Sequence, residues 1–128
     1  HLHGELKKIC SEIDINDIRI LDGWELTAEM KNAYGKPLRP HIVWFGEPVP
    51  NIDLAVKLCE EADIMIIIGT SLNVYPAAGL LHYTKKNCKK YLIDPKMVNI
   101  TDKNITFVKQ KASSGVKQVV DEILSEYL

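Results

Sequence analysis

Five consecutive apolar residues, Ile64 to Ile68, stand between Asp63 and Gly69. A strand with one wet face alternates apolar and polar residues. An unbroken run such as Ile-Met-Ile-Ile-Ile suits a strand covered on both faces, as in a parallel sheet. The run is much too short to span a bilayer. Parallel strands need long crossover connections, usually helical, and the neighbouring sequence supplies them. Residues 41–45, His-Ile-Val-Trp-Phe, read as a short strand, broken by Gly46-Glu47-Pro48-Val49-Pro50. Asn51 or Asp53 caps a helix to about Ala62, with Leu54, Ala55, Leu58, Cys59 and Ala62 at helical spacing. Pro76 starts a second helix through about Lys86, since proline is tolerated in a first turn. Tyr91-Leu92-Ile93 is a third strand, stopped by Pro95, and Ile105 to Val108 a fourth. Residues 115–127 form a last helix with Val116, Val119, Val120, Ile123 and Leu124 on one face. Strands alternating with helices predict βαβ units with right-handed crossovers.

Residues 8–39 carry a weaker pattern. Ile13, Ile15, Ile18 and Ile20 hint at strand and Leu26 to Ala33 at one short helix, together a small subdomain inserted into the α/β layer. A net charge of -1 excludes bulk electrostatic attraction to nucleic acid. Cys10, Cys59 and Cys88 are far apart and form no CxxC pair, which predicts a reducing, cytoplasmic compartment. No signal-peptide pattern opens the chain, and its first residue is His1 rather than Met, so a trimmed or fragmentary product is expected.

Three segments carry chemistry. In Gly69-Thr70-Ser71-Leu72-Asn73-Val74-Tyr75-Pro76-Ala77, a buried strand ends in glycine and two hydroxyl residues. Ligands of open α/β sheets bind beyond the carboxyl ends of the strands. Glycine admits a ligand close to the backbone, and hydroxyls bond phosphate or ribose oxygens. For the tripeptide taken alone, an ordinary strand-to-helix turn with a capping Ser or Thr is the favoured explanation, since such turns are common in α/β folds. Asp94 ends the third strand, where a carboxylate accepts two bonds from a ribose diol and repels a 2′-phosphate, favouring NAD over NADP; a solvated turn residue is the plainer alternative. His3, before Gly4, has the side chain most used as a general base near neutral pH, although a lone histidine is more often a surface or packing residue. His1, His41 and His82 take that plainer reading. In Arg39-Pro40-His41-Ile42-Val43-Trp44-Phe45-Gly46-Glu47, aromatic residues line an apolar tunnel or else pack a core, and a glycine-bounded strand end pairs with an extended peptide or else simply turns.

In this order, His-Gly, then Arg-Pro-x-x-Val-Trp-Phe-Gly-Glu, then Gly-Thr-Ser-Leu-x-Val-Tyr-Pro-Ala, the segments resemble the sirtuin family of NAD-dependent protein-lysine deacylases, over about residues 3 to 124. The Trp44-Phe45 form is most similar to bacterial members and the desuccinylase-like branch. The resemblance implies that an acyl-lysine oxygen attacks the nicotinamide ribose with loss of nicotinamide, and that the acyl group then passes to ADP-ribose. It places the catalytic base on His3 and cofactor contacts on Gly69, Thr70, Ser71, Asp94 and, at the adenine, Ala112. It places the acyl-peptide clamp on Val43, Phe45, Gly46, Glu47 and Val74.

The chain departs from the family pattern at four points. Asp94 stands where Asn is usual. The interval that carries two Cys-x-x-Cys pairs in the family holds only Cys10, and one thiolate cannot build a tetrahedral site, so no zinc is expected. Packing by Ile13, Ile18, Leu21 and Trp24 would hold the insert instead. The family's N-terminal half, with its glycine-rich phosphate loop, is absent, and His3 lies two residues from the chain end, where placement is loose. The expected fold is α/β: the second half of a Rossmann-like, mainly parallel sheet with a small inserted irregular subdomain near the N-terminus. Residues 1–7 end a Rossmann strand with the histidine motif, 8–39 form the zinc-less insert, and 40–128 complete the NAD-binding domain. The expected function is that of an NAD-dependent deacylase acting on acyl-lysine peptides or proteins, with no membrane or nucleic-acid partner. The chain alone should be inactive and should bind the missing N-terminal half or a second copy of itself. The alternative is a catalytically silent module that docks a peptide or a nucleotide.

Overall fold

The structure is a computed structural model that describes residues 1–98 and 102–127. The chain packs as two compact units, His1–Ile52 and Asp53–Leu128.

In the first unit, β1 (Gly4–Ser11), β2 (Ile18–Ile20) and β3 (Leu38–Ile42) form an antiparallel sheet of order β2-β1-β3. The strand expected at 41–45 begins three residues earlier and ends at Ile42, because Leu38 to Pro40 pair with Ser11 to Ile9. Pro40 is tolerated there because β3 is an edge strand, where a missing N–H breaks no inner ladder. The helix expected from Leu26 to Ala33 does not form; that stretch is turns, closed by a bridge between Lys31 and Pro37. Buried Asn32 organises the turn. Its amide donates to Ser11 Oγ at 2.9 Å, and its Oδ1 accepts the N–H groups of Tyr34 and Lys36. Of the four residues expected to pack the insert, only Leu21 is buried, and Trp24 is 88% exposed with the Lys7 ammonium over its ring. The unit is held instead by strand pairing, by the Ser11–Asn32 bond and by burial of Ile9, Cys10 and Leu21.

The second unit carries α1 (Ile52–Glu61, its first residue apart), β4 (Ile64–Ile68), a 3-10 helix (Ala77–Tyr83), β5 (Lys89–Ile93), β6 (Ile105–Val108) and α2 (Ala112–Tyr127). The three strands form a parallel sheet of order β4-β5-β6, in register from Ile64↔Lys89 to Ile68↔Ile93. Central β5 is the best covered, with Leu92 and Ile93 wholly buried, whereas the apolar run of β4 leaves Ile66 and Ile68 exposed. Coverage follows position in the sheet rather than local apolarity. The expected second helix is a shorter 3-10 helix, ended where the Thr84 hydroxyl and N–H both donate to the Leu81 carbonyl. α2 begins at Ala112, three residues before the expected start, and packs on β5. Tyr91, Ile93, Val108 and Val119 form the core cluster, with Ile64, Val116 and Ile123 against it. Burying a side chain such as Ile93 stabilises the fold by about 2 kcal/mol. Gly115 is what lets α2 sit this close: a Cβ there would lie 2.5 Å from Ile93 Cγ2. No helix among the described residues is long and apolar enough to cross a membrane.

Candidate functional site

The first unit gathers His3 and the segment after β3. Gly4 opens β1 at φ +88°, and a Cβ there would collide with the His41 carbonyl oxygen. Only glycine lets β1 approach β3 this closely, which gives the His-Gly pair its physical reason. One residue earlier, the His3 carbonyl accepts the Val43 N–H at 2.9 Å, so histidine and loop are joined through the backbone. The loop itself is closed by Glu47, whose N–H donates to the Trp44 carbonyl at 3.1 Å and whose Oε2 accepts the Trp44 N–H at 3.0 Å. Gly46 has φ +89° at the bend. Phe45 is 97% exposed, so it does not pack a core, and Trp44 is half exposed. Arg39 grips Glu47 through two bonds of 2.6 and 2.7 Å. That fork, followed by the Trp44 N–H, draws the Glu47 carboxyl down to about 2.

The second unit gathers Gly69, Ser71 and Asp94 at the carboxyl ends of β4 and β5. They line a cavity of about 520 Å³ together with Asn73, Lys96 and Met97. Gly69 extends the strand ladder by donating to the Ile93 carbonyl at 2.9 Å, then turns at φ +62°, with open space where a Cβ would stand. Asp94 is fixed from both sides: its N–H donates to the Val108 carbonyl at 3.2 Å, and its Oδ1 accepts the Lys96 N–H at 2.7 Å. Among the described residues no hydrogen bond is made to Oδ2. Thr70, Val74 and Ala112 do not line this cavity. The Thr70 hydroxyl accepts the Leu72 N–H at 3.1 Å and shapes the turn, in which Leu72 has φ +57°. Val74 is exposed, with its carbonyl accepting the Ala78 N–H, and Ala112 is the exposed first residue of α2.

Cys10, Cys59 and Cys88 are free and buried, and burial pushes the Cys10 thiol up against the opposing pull of Arg39. Among the described residues no three His, Cys, Asp or Glu side chains gather as metal ligands would.

The Sir2 family model matches residues 1–76. The chain belongs to the Sir2 family. A Sir2 relative from Bacteroides thetaiotaomicron, an NAD-dependent protein deacylase, is 51% identical over 125 residues, covering 93% of this chain and 53% of that protein. A Helicobacter pylori protein of the same name is 39% identical and covers 97% of this chain and 54% of its own length. The chain thus spans about half the length of the curated relatives it matches. Among solved structures, a Sir2 homologue–NAD complex superposes with a TM-score of 0.83 at 28% identity, covering 98% of this chain and 51% of that one. A mutant Sir2 homologue bound to ADP-ribose gives 0.82 at the same identity.

Sequence reasoning about this Sir2 chain passed over three site residues. Arg39 enters only through its fork on Glu47; opposite charges flanking a Gly-Pro-rich turn were the available signal. Asn73 and Lys96 line the cavity because the turns after β4 and β5 fold toward each other, for which the sequence carries no local signal.

Proposed function

We propose that the full-length protein is an NAD-dependent protein-lysine deacylase. This chain would supply its histidine base, the loop that receives an acyl-lysine peptide, and the adenosine side of the dinucleotide site. The observation that carries the reading is the convergence of Gly69, Ser71 and Asp94 on one cavity at the carboxyl ends of adjacent parallel strands, where open α/β sheets bind nucleotides. The residues fit part of a dinucleotide. Gly69 leaves room for close approach, the Ser71 hydroxyl borders the space, and Asp94 Oδ2 can accept from a ribose diol while its charge disfavours a 2′-phosphate. The names of the curated relatives, and the NAD bound in a similar structure, support the same assignment.

NAD, when bound, supplies an electrophilic ribose carbon and a nicotinamide leaving group. His3 takes a hydroxyl proton at an imidazole nitrogen, held at the start of β1 by Gly4 and by its backbone bond to Val43. Val43 and Phe45 hold the acyl-lysine chain, Phe45 with an aromatic face that its own unit leaves uncovered. Val74 and Ala112 take the outlying peptide and adenine contacts. The cytoplasm is the proposed compartment, supported by three separated free cysteines. The test is NAD-dependent nicotinamide release by the full-length protein with a panel of acyl-lysine peptides. Silence with every peptide, in a protein that still binds NAD, would overturn the assignment.

A further inference from the structure

We infer that Arg39 and Glu47 are positioning residues: together they preset the Val43–Gly46 loop, and Glu47 does not itself contact substrate. The inference rests on the deacylase reading only for what the loop receives. Glu47 was expected to join the peptide clamp, but its carboxylate is already committed. Oε1 accepts Arg39 Nη1 at 2.6 Å; Oε2 accepts both Arg39 Nη2 at 2.7 Å and the Trp44 N–H at 3.0 Å. Arg39 Nη2 also donates to the Ile42 carbonyl at 2.8 Å. One guanidinium therefore ties the last residue of β3 to the far end of the loop. Arg39 itself lies within β3, paired opposite Cys10 on β1. Between the two tied points, Phe45 stands out into solvent and Gly46 takes the left-handed bend.

Two parallel bonds from a planar fork fix angle as well as distance, which a lysine ammonium cannot do. A loop held this way has less freedom to lose when an extended peptide pairs with it, so the clamp acts on peptide affinity without touching peptide. The two halves of the pair must then fail together. If Glu47 met the substrate directly, its loss would cost affinity whether or not Arg39 were present.

The test uses the full-length protein with Glu47→Ala, Arg39→Ala, the double variant and the milder Glu47→Gln, which keeps an acceptor for the Trp44 N–H. Dissociation constants for an acyl-lysine peptide and for NAD are measured beside amide hydrogen exchange over residues 43–47. Each alanine variant is expected to weaken peptide binding by about tenfold or more, the cost of a charge-assisted bond. The double variant should be no weaker than the worse single one, and NAD affinity should stay within about twofold. Exchange at the Trp44 and Glu47 amides should quicken, and Glu47→Gln should recover part of the loss. Peptide affinity untouched by Arg39→Ala, additive losses in the double variant, or unchanged exchange would each overturn the clamp. Exchange needs no turnover, so the clamp is decided even in a protein that releases no nicotinamide.

Discussion

A general base works only if its proton-accepting nitrogen is held where the reacting hydroxyl arrives. For His3, the proposed base, two features fix the main chain that carries the imidazole: the Gly4 approach to His41 and the carbonyl bond to Val43. If the full-length protein is the proposed deacylase, His3→Ala is expected to lower turnover about 10² to 10⁴-fold, with NAD affinity nearly unchanged. Steady-state rates within a factor of about two of the parent would remove His3 from the chemistry. Glu47 provides a second reading at this scale. Arg39, and after it the Trp44 N–H, hold its carboxyl at about 2, well below the ordinary 4.5. A depressed carboxyl stabilises the folded state through its ionised form. That contribution is fully present above pH 4.5 and is lost as pH falls toward 2. Carboxyl-carbon NMR should show Glu47 titrating near 2 in the parent and back toward 4.5 in Arg39→Gln; the same midpoint in both would mean that Arg39 is not the cause.

At the scale of elements, α2 meets β5 at a close side-chain contact. Ile93 is wholly buried and cannot swing aside from a Cβ at Gly115. Alanine there gains about 1 kcal/mol of helix propensity but overpacks a full core at about 1–3 kcal/mol. Gly115→Ala is expected to lower stability by up to about 2 kcal/mol in urea unfolding; a stabilised variant would show that α2 slides freely on β5. The loop after β3 presents the opposite case, an aromatic ring packed on nothing in its own unit. Phe45→Ala should therefore leave the unfolding midpoint nearly unchanged while weakening acyl-peptide binding more than NAD binding. Equal losses for both ligands would contradict a role in the peptide tunnel.

For the whole molecule, exposed apolar surface is the main physical fact. Leu54 and Leu58 on α1, with Ile66 and Ile68 on β4, are all exposed, and β4 is an edge of its sheet among the described residues. An apolar, unpaired parallel edge invites pairing. The 128-residue chain on its own is expected to self-associate and to show no deacylation with NAD. Light scattering and a turnover assay, with and without the N-terminal half of a relative, check both. A well-behaved monomer, or robust turnover unaided, would refute this.

Local chemistry settled much in advance. The apolar run at 64–68, the strand at 105–108 and the helix after Asn51 formed where apolar spacing put them, because short-range propensity and periodicity suffice for such elements. The three motif segments told the Sir2 family from residues alone, and close backbone approach at Gly4 and turn chemistry at Gly46, Gly69 and Thr70 give part of the physical reason for those residue types. Other features waited on tertiary contacts. The antiparallel pairing of β1 with β3, across the 26 residues from 12 to 37, depends on partners distant in sequence. The covered centre of the parallel sheet fell to Lys90–Ile93 because β5 is the central strand and α2 packs on it, and even Lys90 is drawn in, its ammonium 3.7 Å from Asp102. The use of Glu47 also belongs to the tertiary structure. Whether a carboxylate meets a substrate or an arginine is decided by which partner stands within about 3 Å, and the folded sheet brings Arg39 there.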